Sequence, residues 1–352
     1  MKVLVTGHEG YIGSILAPYL ADAGHEVVGL DTGLYHGCDL GRPPRALPTL
    51  AVDIRDVTAD DLGGFDAVVH YAALSNDPIG DLDPSLTEAV NLDGTLRLAR
   101  AARDAGTRRF VFASSCSMYG ASGTDDALDE SAPLRPLTVY AESKVRAEEG
   151  LLELVDSDFA PVSMRNATVF GASPRLRLDI VLNNLAASAH TTGRITLLSD
   201  GMAWRPLIHV RDVAKAALAL LEAPEDGIRG EAYNVGTDGQ NYLVRDLAAI
   251  LADVTGCDVE IAEGSSADSR SYRVDFSKIA AAFPGLVFDW NAERGARELI
   301  DAYRDAGMTR GDFDGDRYVR LRRLRALLES GDLNDDLRWS HAPVNRPAHP
   351  VG

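Results

Sequence analysis

Apolar runs of four or five residues alternate with longer stretches of helical period through the first half of this chain. Lys2–Thr6 is a short β-rich run that ends in Gly7-His-Glu-Gly10-Tyr-Ile-Gly13, and a helical pattern follows to Ala23 with a stop at Gly24. A second run, Glu26–Leu30, ends at Asp31, and a third short one precedes Val52-Asp53-Ile54. Phe65–His70 reads as a fourth strand leading into Tyr71-Ala72-Ala73. Pro84–Ala105 has the period of one long helix, with Asp83 as N-cap, Pro84 in the first turn and Gly106 as the stop. Arg109–Ala113 is a fifth strand. It delivers Ser114-Ser-Cys-Ser-Met-Tyr-Gly120, and after a loop with Pro133 and Pro136 a further helix opens at Tyr140. Repeated strand–helix alternation of this kind predicts an α/β fold built on a doubly wound parallel sheet.

Beyond Arg165 the alternation loosens. Gly171–Pro206 and Gly236–Asp275 mix loops with short strands and helices, whereas Ile208–Leu221 and Ala232–Val235 read as elements that return to the main sheet. The expected organisation is a sheet domain over 1–165 plus about 207–235, with a smaller mixed α/β lobe over 166–206 plus about 236–310. A helical, arginine-rich extension over 311–339 and a loose, proline-bearing tail over 340–352 would complete the chain.

With 352 residues there is core enough for both domains. No apolar run approaches the roughly 18 residues of a membrane span. The N-terminus reads directly as a strand rather than a leader, so a cytoplasmic protein is expected. Cys38, Cys116 and Cys257 are scattered without CxxC spacing, which argues against a disulfide framework or a zinc site. Asp312-x-Asp314-x-Asp316 begins like a calcium loop but has Arg317 and Arg323 where the glycine and closing glutamate belong, so no metal is expected. A net charge of -18 disfavours nucleic acid or an anionic membrane as partner. It leaves room for a small anion where arginines gather.

Candidate chemistry starts at the first turn. Strand, glycine loop and helix in succession are the context in which Gly7, Gly10 and Gly13 signify a dinucleotide site, the helix N-terminus offering amide donors to a pyrophosphate. Glu9 in that loop should face solvent, away from phosphate. Asp31, at the end of the second strand, would accept bonds from the adenosine ribose and repel a 2′-phosphate, favouring NAD over NADP. Tyr140 and Lys144 lie one helical turn apart and can point into one cleft. An ammonium beside a phenol favours the phenolate, which makes tyrosine usable as a proton shuttle. Only four of the 35 basic residues are lysines (Lys2, Lys144, Lys215, Lys278), so a lysine at 144 suggests a need for a compact ammonium.

Taken together and in this order, these segments resemble the extended short-chain dehydrogenases/reductases, specifically the nucleotide-sugar epimerases and dehydratases typified by UDP-glucose 4-epimerase. The resemblance runs from Lys2 to about Lys278. It implies a Rossmann domain that binds NAD through Gly7, Gly10, Tyr11, Ile12 and Gly13, with Asp31, Asp53 and Ile54 around the adenosine. Tyr71, Ala72, Ala73 and Asn91 would complete the cofactor wall, together with Tyr140 and Lys144. Ser115 is then the catalytic hydroxyl beside Tyr140 and Lys144, with Ser114 and Ser117 as rivals.

On the substrate side the resemblance implies a nucleotide-diphosphate sugar held by Ser115, Thr168, Asn184 and Arg205. Ser265 stands where this family often has a phosphate-binding arginine, and Arg270, in Asp268-x-Arg270-x-Tyr272, is the expected substitute. Arg175 and Arg177 are either further anion contacts or solvated loop arginines; His209 is expected to be structural. The implied reaction is epimerisation, first at C4, through a keto sugar. In 4,6-dehydratases an Asp-Glu pair follows the catalytic hydroxyl, and Cys116-Ser117 in that place disfavours elimination. A keto-sugar reductase and a non-catalytic dinucleotide sensor or scaffold stay open as alternatives. The resemblance further implies that the Pro84–Ala105 and Tyr140–Val155 helices pair across a two-fold axis, so a homodimer is expected.

Overall fold

The apolar runs pair side by side. In the computed structural model, which describes residues 1–75, 83–121, 126–266 and 270–341, seven of them form one sheet. Its strands are β1 (Lys2–Thr6), β2 (Glu26–Leu30), β3 (Thr49–Leu50), β4 (Ala67–His70), β5 (Arg109–Ser115), β6 (Ala160–Asn166) and β7 (Glu231–Val235). Their order across the sheet is β7-β6-β5-β4-β1-β2-β3, every pairing parallel. Val5 of β1 lies opposite Gly29 of β2 and Val69 of β4.

Parallel strands joined by helices are covered on both faces, so they read as unbroken apolar runs. Val3, Leu4, Val5, Ala67, Val68, Val69, Phe110, Val111 and Phe112 are all 0% exposed, as that rule requires. Their alternation divides two cores. Val3, Val5, Val69 and Val111 meet Leu16 and Leu20 of helix Gly13–Asp22 and Val213 and Leu220 of helix Val210–Glu222. Leu4, Val68, Phe110 and Phe112 meet Leu98 and Ala102 of helix Thr95–Asp104 and Ala147 and Leu151 of helix Val139–Leu152. Each fully buried Leu or Phe contributes roughly 1.5–3 kcal/mol over its exposed state. Because the chain departs from β1 in both directions, the strand order reverses between β1 and β4. That reversal opens a crevice at the carboxyl ends of the strands.

A second core lies beside this crevice. Helices Val181–Thr192, Val244–Thr255 and Ala292–Asp305 pack Leu182, Leu247, Leu251, Leu299 and Tyr303 around Phe170 and Leu207. Strand Trp204–His209 runs between Thr168–Phe170 and Asn241–Leu243 at its edge.

Three elements differ from the sequence expectation. The long helix is present with Asp83 capping it, its carboxylate accepting from Ser85 N at 2.8 Å, but Glu88–Gly94 winds as a π-helix between Pro84–Thr87 and Thr95–Asp104. The run Ile208–Leu221 divides into a strand end at Ile208 and His209 and the helix Val210–Glu222, which the His209 ring caps by accepting from Arg211 N at 3.3 Å. The C-terminal extension breaks into Arg310–Asp314 and Arg320–Glu329, then folds back so that Leu333 bridges Trp339. Asp312 serves there as a cap, accepting from Thr309 N at 2.9 Å. No helix among the described residues is long and apolar enough to cross a membrane.

Candidate active site

A cavity of about 800 Å³ occupies the crevice between the sheet and the second core. Its floor is the glycine turn. Gly7 has φ +70°, and a Cβ there would stand 2.6 Å from Ala72 N, so only glycine lets the turn lie against Tyr71-Ala72. A Cβ on Gly13 would stand 2.1 Å from Gly7 O, which is why the helix can start so tightly against the turn. Gly7, Gly10, Tyr11, Ile12 and Gly13 line the cavity at this helix N-terminus. Asp31 joins the loops on either side: its carboxylate accepts from Glu9 N at 3.0 Å and from Gly33 N at 2.8 Å. The Glu9 side chain turns away to the His36 imidazole and does not line the cavity.

Asp53, Ile54, Tyr71, Ala72 and Ala73 continue the same wall. Asp53 is gripped by Arg55, which donates from Nε at 2.9 Å and Nη2 at 2.6 Å. Burial raises the Asp53 pKa, and the Arg55 contacts outweigh that, holding the carboxyl below its ordinary value. Asn91, expected to meet the cofactor, does not line the cavity. It sits in the π turn, fully buried, and clamps Leu74, accepting from Leu74 N at 2.8 Å and donating to Leu74 O at 3.1 Å. A wide turn aims this amide at the backbone of a cavity-lining residue, a role periodicity does not reveal.

The catalytic candidates converge at the carboxyl end of β5. Thr138 caps helix Val139–Leu152, accepting from Ala141 N at 3.2 Å, and Tyr140 and Lys144 emerge from its first turns onto the cavity wall. Lys144 Nζ lies 5.8 Å from the Tyr140 ring centroid, 4.6 Å from that of Phe112, and donates to Ala113 O at 2.7 Å. The side chain is buried, which pushes its pKa down to about 7, with Glu148 opposing the shift. Ser115 lines the cavity beside them; its Oγ donates to Ser117 Oγ at 2.9 Å and accepts from Ser117 N at 3.1 Å. Ser114 also borders the cavity, but its hydroxyl is buried and without a partner among the described residues. Cys116 points the other way, into the core, where Sγ donates to Arg165 O at 3.0 Å and burial pushes the thiol pKa well up.

At the far end stand Thr168, Asn184, Arg205 and Arg270. Asn184 Nδ2 donates to Leu178 O at 2.9 Å, and Arg205 donates to Trp204 O at 2.8 Å and to the Arg270 carbonyl, which brings the two expected arginines to one wall. Asp268 lies outside the described residues, as does the side chain of Ser265. Neither Arg175 nor Arg177 is a solvated loop residue. Arg175 is built into the loop framework, donating to Glu9 O at 3.0 Å and Tyr35 O at 2.6 Å and pairing with Asp39 at 2.9 Å. Arg177 lines the cavity, paired with Asp179 at 2.9 Å and donating to Ser75 O at 2.7 Å. His209 is structural: fully buried, stacked 3.9 Å from the Trp290 ring and 2.7 Å from Glu298. The sequence reading missed Ser75, Tyr35, Arg320 and Leu337, all on the cavity wall.

This geometry has counterparts among known proteins. The sequence model of the NAD dependent epimerase/dehydratase family matches residues 3–236. The chain belongs to this family. It is 29% identical over 331 residues to UDP-glucose 4-epimerase of Bacillus subtilis, covering 86% of this chain and 96% of that protein. Among solved structures, MoeE5 in complex with UDP-glucose and NAD superposes with a TM-score of 0.75 at 29% identity, covering 87% of this chain and 99% of that one. DesIV, the dTDP-glucose 4,6-dehydratase of Streptomyces venezuelae with NAD and TYD bound, gives 0.75 at 27% identity, covering 89% and 100%. Family members are NAD-dependent enzymes, and the glycine turn, with no side chain between the helix amides and the cavity, fits such a dinucleotide.

Proposed function

We propose that this protein is an NAD-dependent nucleotide-sugar epimerase that inverts a sugar carbon, C4 first, through a transient keto sugar. One observation carries the reading. Ser115, Tyr140 and Lys144 share one wall of a cavity that runs from the glycine turn and Asp31 at one end to Arg205 and Arg270 at the other.

The cofactor, when bound, supplies a reversible hydride acceptor for the sugar carbon. Gly7, Gly10, Tyr11, Ile12 and Gly13 would hold its pyrophosphate and Asp31 its adenosine ribose, with Lys144 on the nicotinamide ribose. Asp53, Ile54, Tyr71, Ala72 and Ala73 would close around the remainder, and Asn91 would act by holding Leu74. Tyr140 takes the proton of the sugar hydroxyl and later returns it. Ser115, whose hydroxyl is already oriented by Ser117, hydrogen-bonds the same oxygen as it becomes a carbonyl. Arg205 and Arg270 grip the diphosphate, supported by Asn184 and Thr168, while the sugar turns between faces.

Elimination has little support here although a 4,6-dehydratase is among the structural relatives. It needs an acid and a base beside the keto sugar, and Cys116 faces the core while Ser117 offers only a hydroxyl. A homodimer through the helices Thr95–Asp104 and Val139–Leu152 fits the exposure of Leu152, at 54%. A panel of UDP- and dTDP-sugars followed by proton NMR tests the reading. Inversion at one ring carbon without net formation of reduced cofactor is expected; a dehydrated product or stoichiometric consumption of added NADH would overturn it.

A further inference from the structure

The extension past Met308 does more than cap the fold. Helix Arg320–Glu329 and the turn after it share a small core with the cleft rim, in which Leu324, Leu327, Leu333 and Leu337 pack on Leu34, Leu74 and Val90. Polar contacts fasten it to the loops that follow β2 and β3. Trp339 Nε1 donates to Thr32 O at 2.6 Å, Arg55 Nη1 donates to Asp336 O at 2.7 Å, and Arg338 Nη2 donates to Asp56 Oδ1 at 3.0 Å. Leu337, at φ +55°, and Arg320 both face the cavity.

Arg320 has an unusual environment. It is 2% exposed, lies 4.0 Å over the Tyr35 ring and donates from Nη2 to Arg175 O at 3.0 Å. Its Nη1 has no hydrogen-bond partner among the described residues. Among the described residues no carboxylate is seen in a direct ion pair with it: Asp179, whose charge reaches it at longer range, is paired with Arg177, and Asp39 with Arg175. A guanidinium stays charged in a protein, and a buried charge without a counter-charge is costly. Arg320 therefore brings to this wall a buried cation with an open donor. Arg175 fixes where that donor sits, since the residue whose carbonyl Arg320 bonds also donates to Glu9 O in the glycine turn.

We propose that Arg320 is a further binding residue for the diphosphate of the dinucleotide, delivered by a C-terminal segment that forms one wall of the cofactor site. The inference rests on the cofactor reading above. The diphosphate supplies a direct counter-charge, and the extension, tied to Thr32 and Asp56, closes the cleft at the adenosine end.

Calorimetric titration of the full-length wild type and Arg320→Gln with NAD, ADP-ribose, adenosine and UDP tests it. In the variant NAD and ADP-ribose should bind roughly 10- to 100-fold more weakly, as expected for a lost charge-assisted bond, with adenosine and UDP unchanged. Unchanged ADP-ribose affinity overturns the proposal, as does weakening confined to UDP, which would place the group on the nucleotide-sugar diphosphate. A wild type that binds no NAD overturns the cofactor reading itself and this proposal with it. Should Arg320→Gln not fold, amide hydrogen exchange on the wild type decides. ADP-ribose should slow exchange across residues 320–329 where adenosine does not, and equal exchange with both overturns the proposal.

Discussion

Lys144 Nζ stands 5.8 Å from the centre of the Tyr140 ring while donating at 2.7 Å to the carbonyl of Ala113, the third-last residue of β5. A strand end thus aims the ammonium, and a helix turn sets its distance from the phenol. The arrangement has a thermodynamic cost, because the cation is buried against Phe112 with one carbonyl, among the described residues, as its hydrogen-bond acceptor.

That cost fixes a sign. Burial lowers the Lys144 pKa from its ordinary 10.5 to about 7. Between these values the unfolded chain binds more protons than the folded one, so stability contributed by this site rises with pH from 7 to 10.5, and the penalty is fully felt below 7. Lys144→Met should therefore stabilise the ligand-free protein at pH 6, by on the order of 1–3 kcal/mol, and by less at pH 9, while abolishing turnover. Urea midpoints at the two pH values check this; a variant less stable than wild type at pH 6 contradicts it.

Cofactor choice should follow Asp31. Its carboxylate braces Glu9 N and Gly33 N and keeps a negative charge at the cavity wall. Asp31→Asn retains one acceptor oxygen and removes the charge. The ratio of NADP to NAD affinity should rise roughly tenfold or more, read by titration with each dinucleotide. An unchanged ratio would show that Asp31 does not face the ribose.

The first glycine tolerates nothing larger. Gly7→Ala would strain a backbone at φ +70° and drive a methyl to 2.6 Å from Ala72 N. A loss of at least about 2 kcal/mol in stability and of measurable NAD binding is expected, checked by thermal melts and titration. A folded variant with wild-type affinity would mean that the turn can move away.

Away from the cavity, Glu148 accepts from Arg165 Nη2 at 2.7 Å and from Nε at 3.1 Å, both side chains buried. Arg165 also donates to the Tyr119 hydroxyl at 3.2 Å and Glu130 O at 3.1 Å. Glu148→Ala leaves that guanidinium uncompensated and should cost roughly 3–5 kcal/mol in denaturant unfolding. A loss below about 1 kcal/mol would show that water or Glu130 replaces the partner.

The sheet and the shared placement of Tyr140 and Lys144 on the cavity wall were legible in the sequence for a physical reason. Buried parallel strands must be continuous apolar runs, and a helix that presents two groups to one cleft must space them by a turn, so β1, β4, β5, Tyr140 and Lys144 announce themselves locally. Asn91 was expected at the cofactor and instead clamps the Leu74 backbone, which could not be read because a π turn leaves no periodic signature. Arg320 and Leu337 were missed because their meaning depends on Tyr35, Thr32 and Asp56, hundreds of residues away in the chain. Arg175 looked like a loop cation and proved to be the tie between the glycine turn and Tyr35.

The most direct test of the central claim follows the hydrogen on the reacting carbon. With a UDP-hexose deuterated at C4, NMR should show the label retained at C4 in the inverted sugar with no uptake of solvent hydrogen there, since the same hydride leaves and returns. In Tyr140→Phe the inversion should slow at least about a hundredfold. Loss of the label to solvent, or inversion undiminished without the phenol, would contradict an epimerase that works by transient oxidation of the sugar carbon with Tyr140 as the proton shuttle.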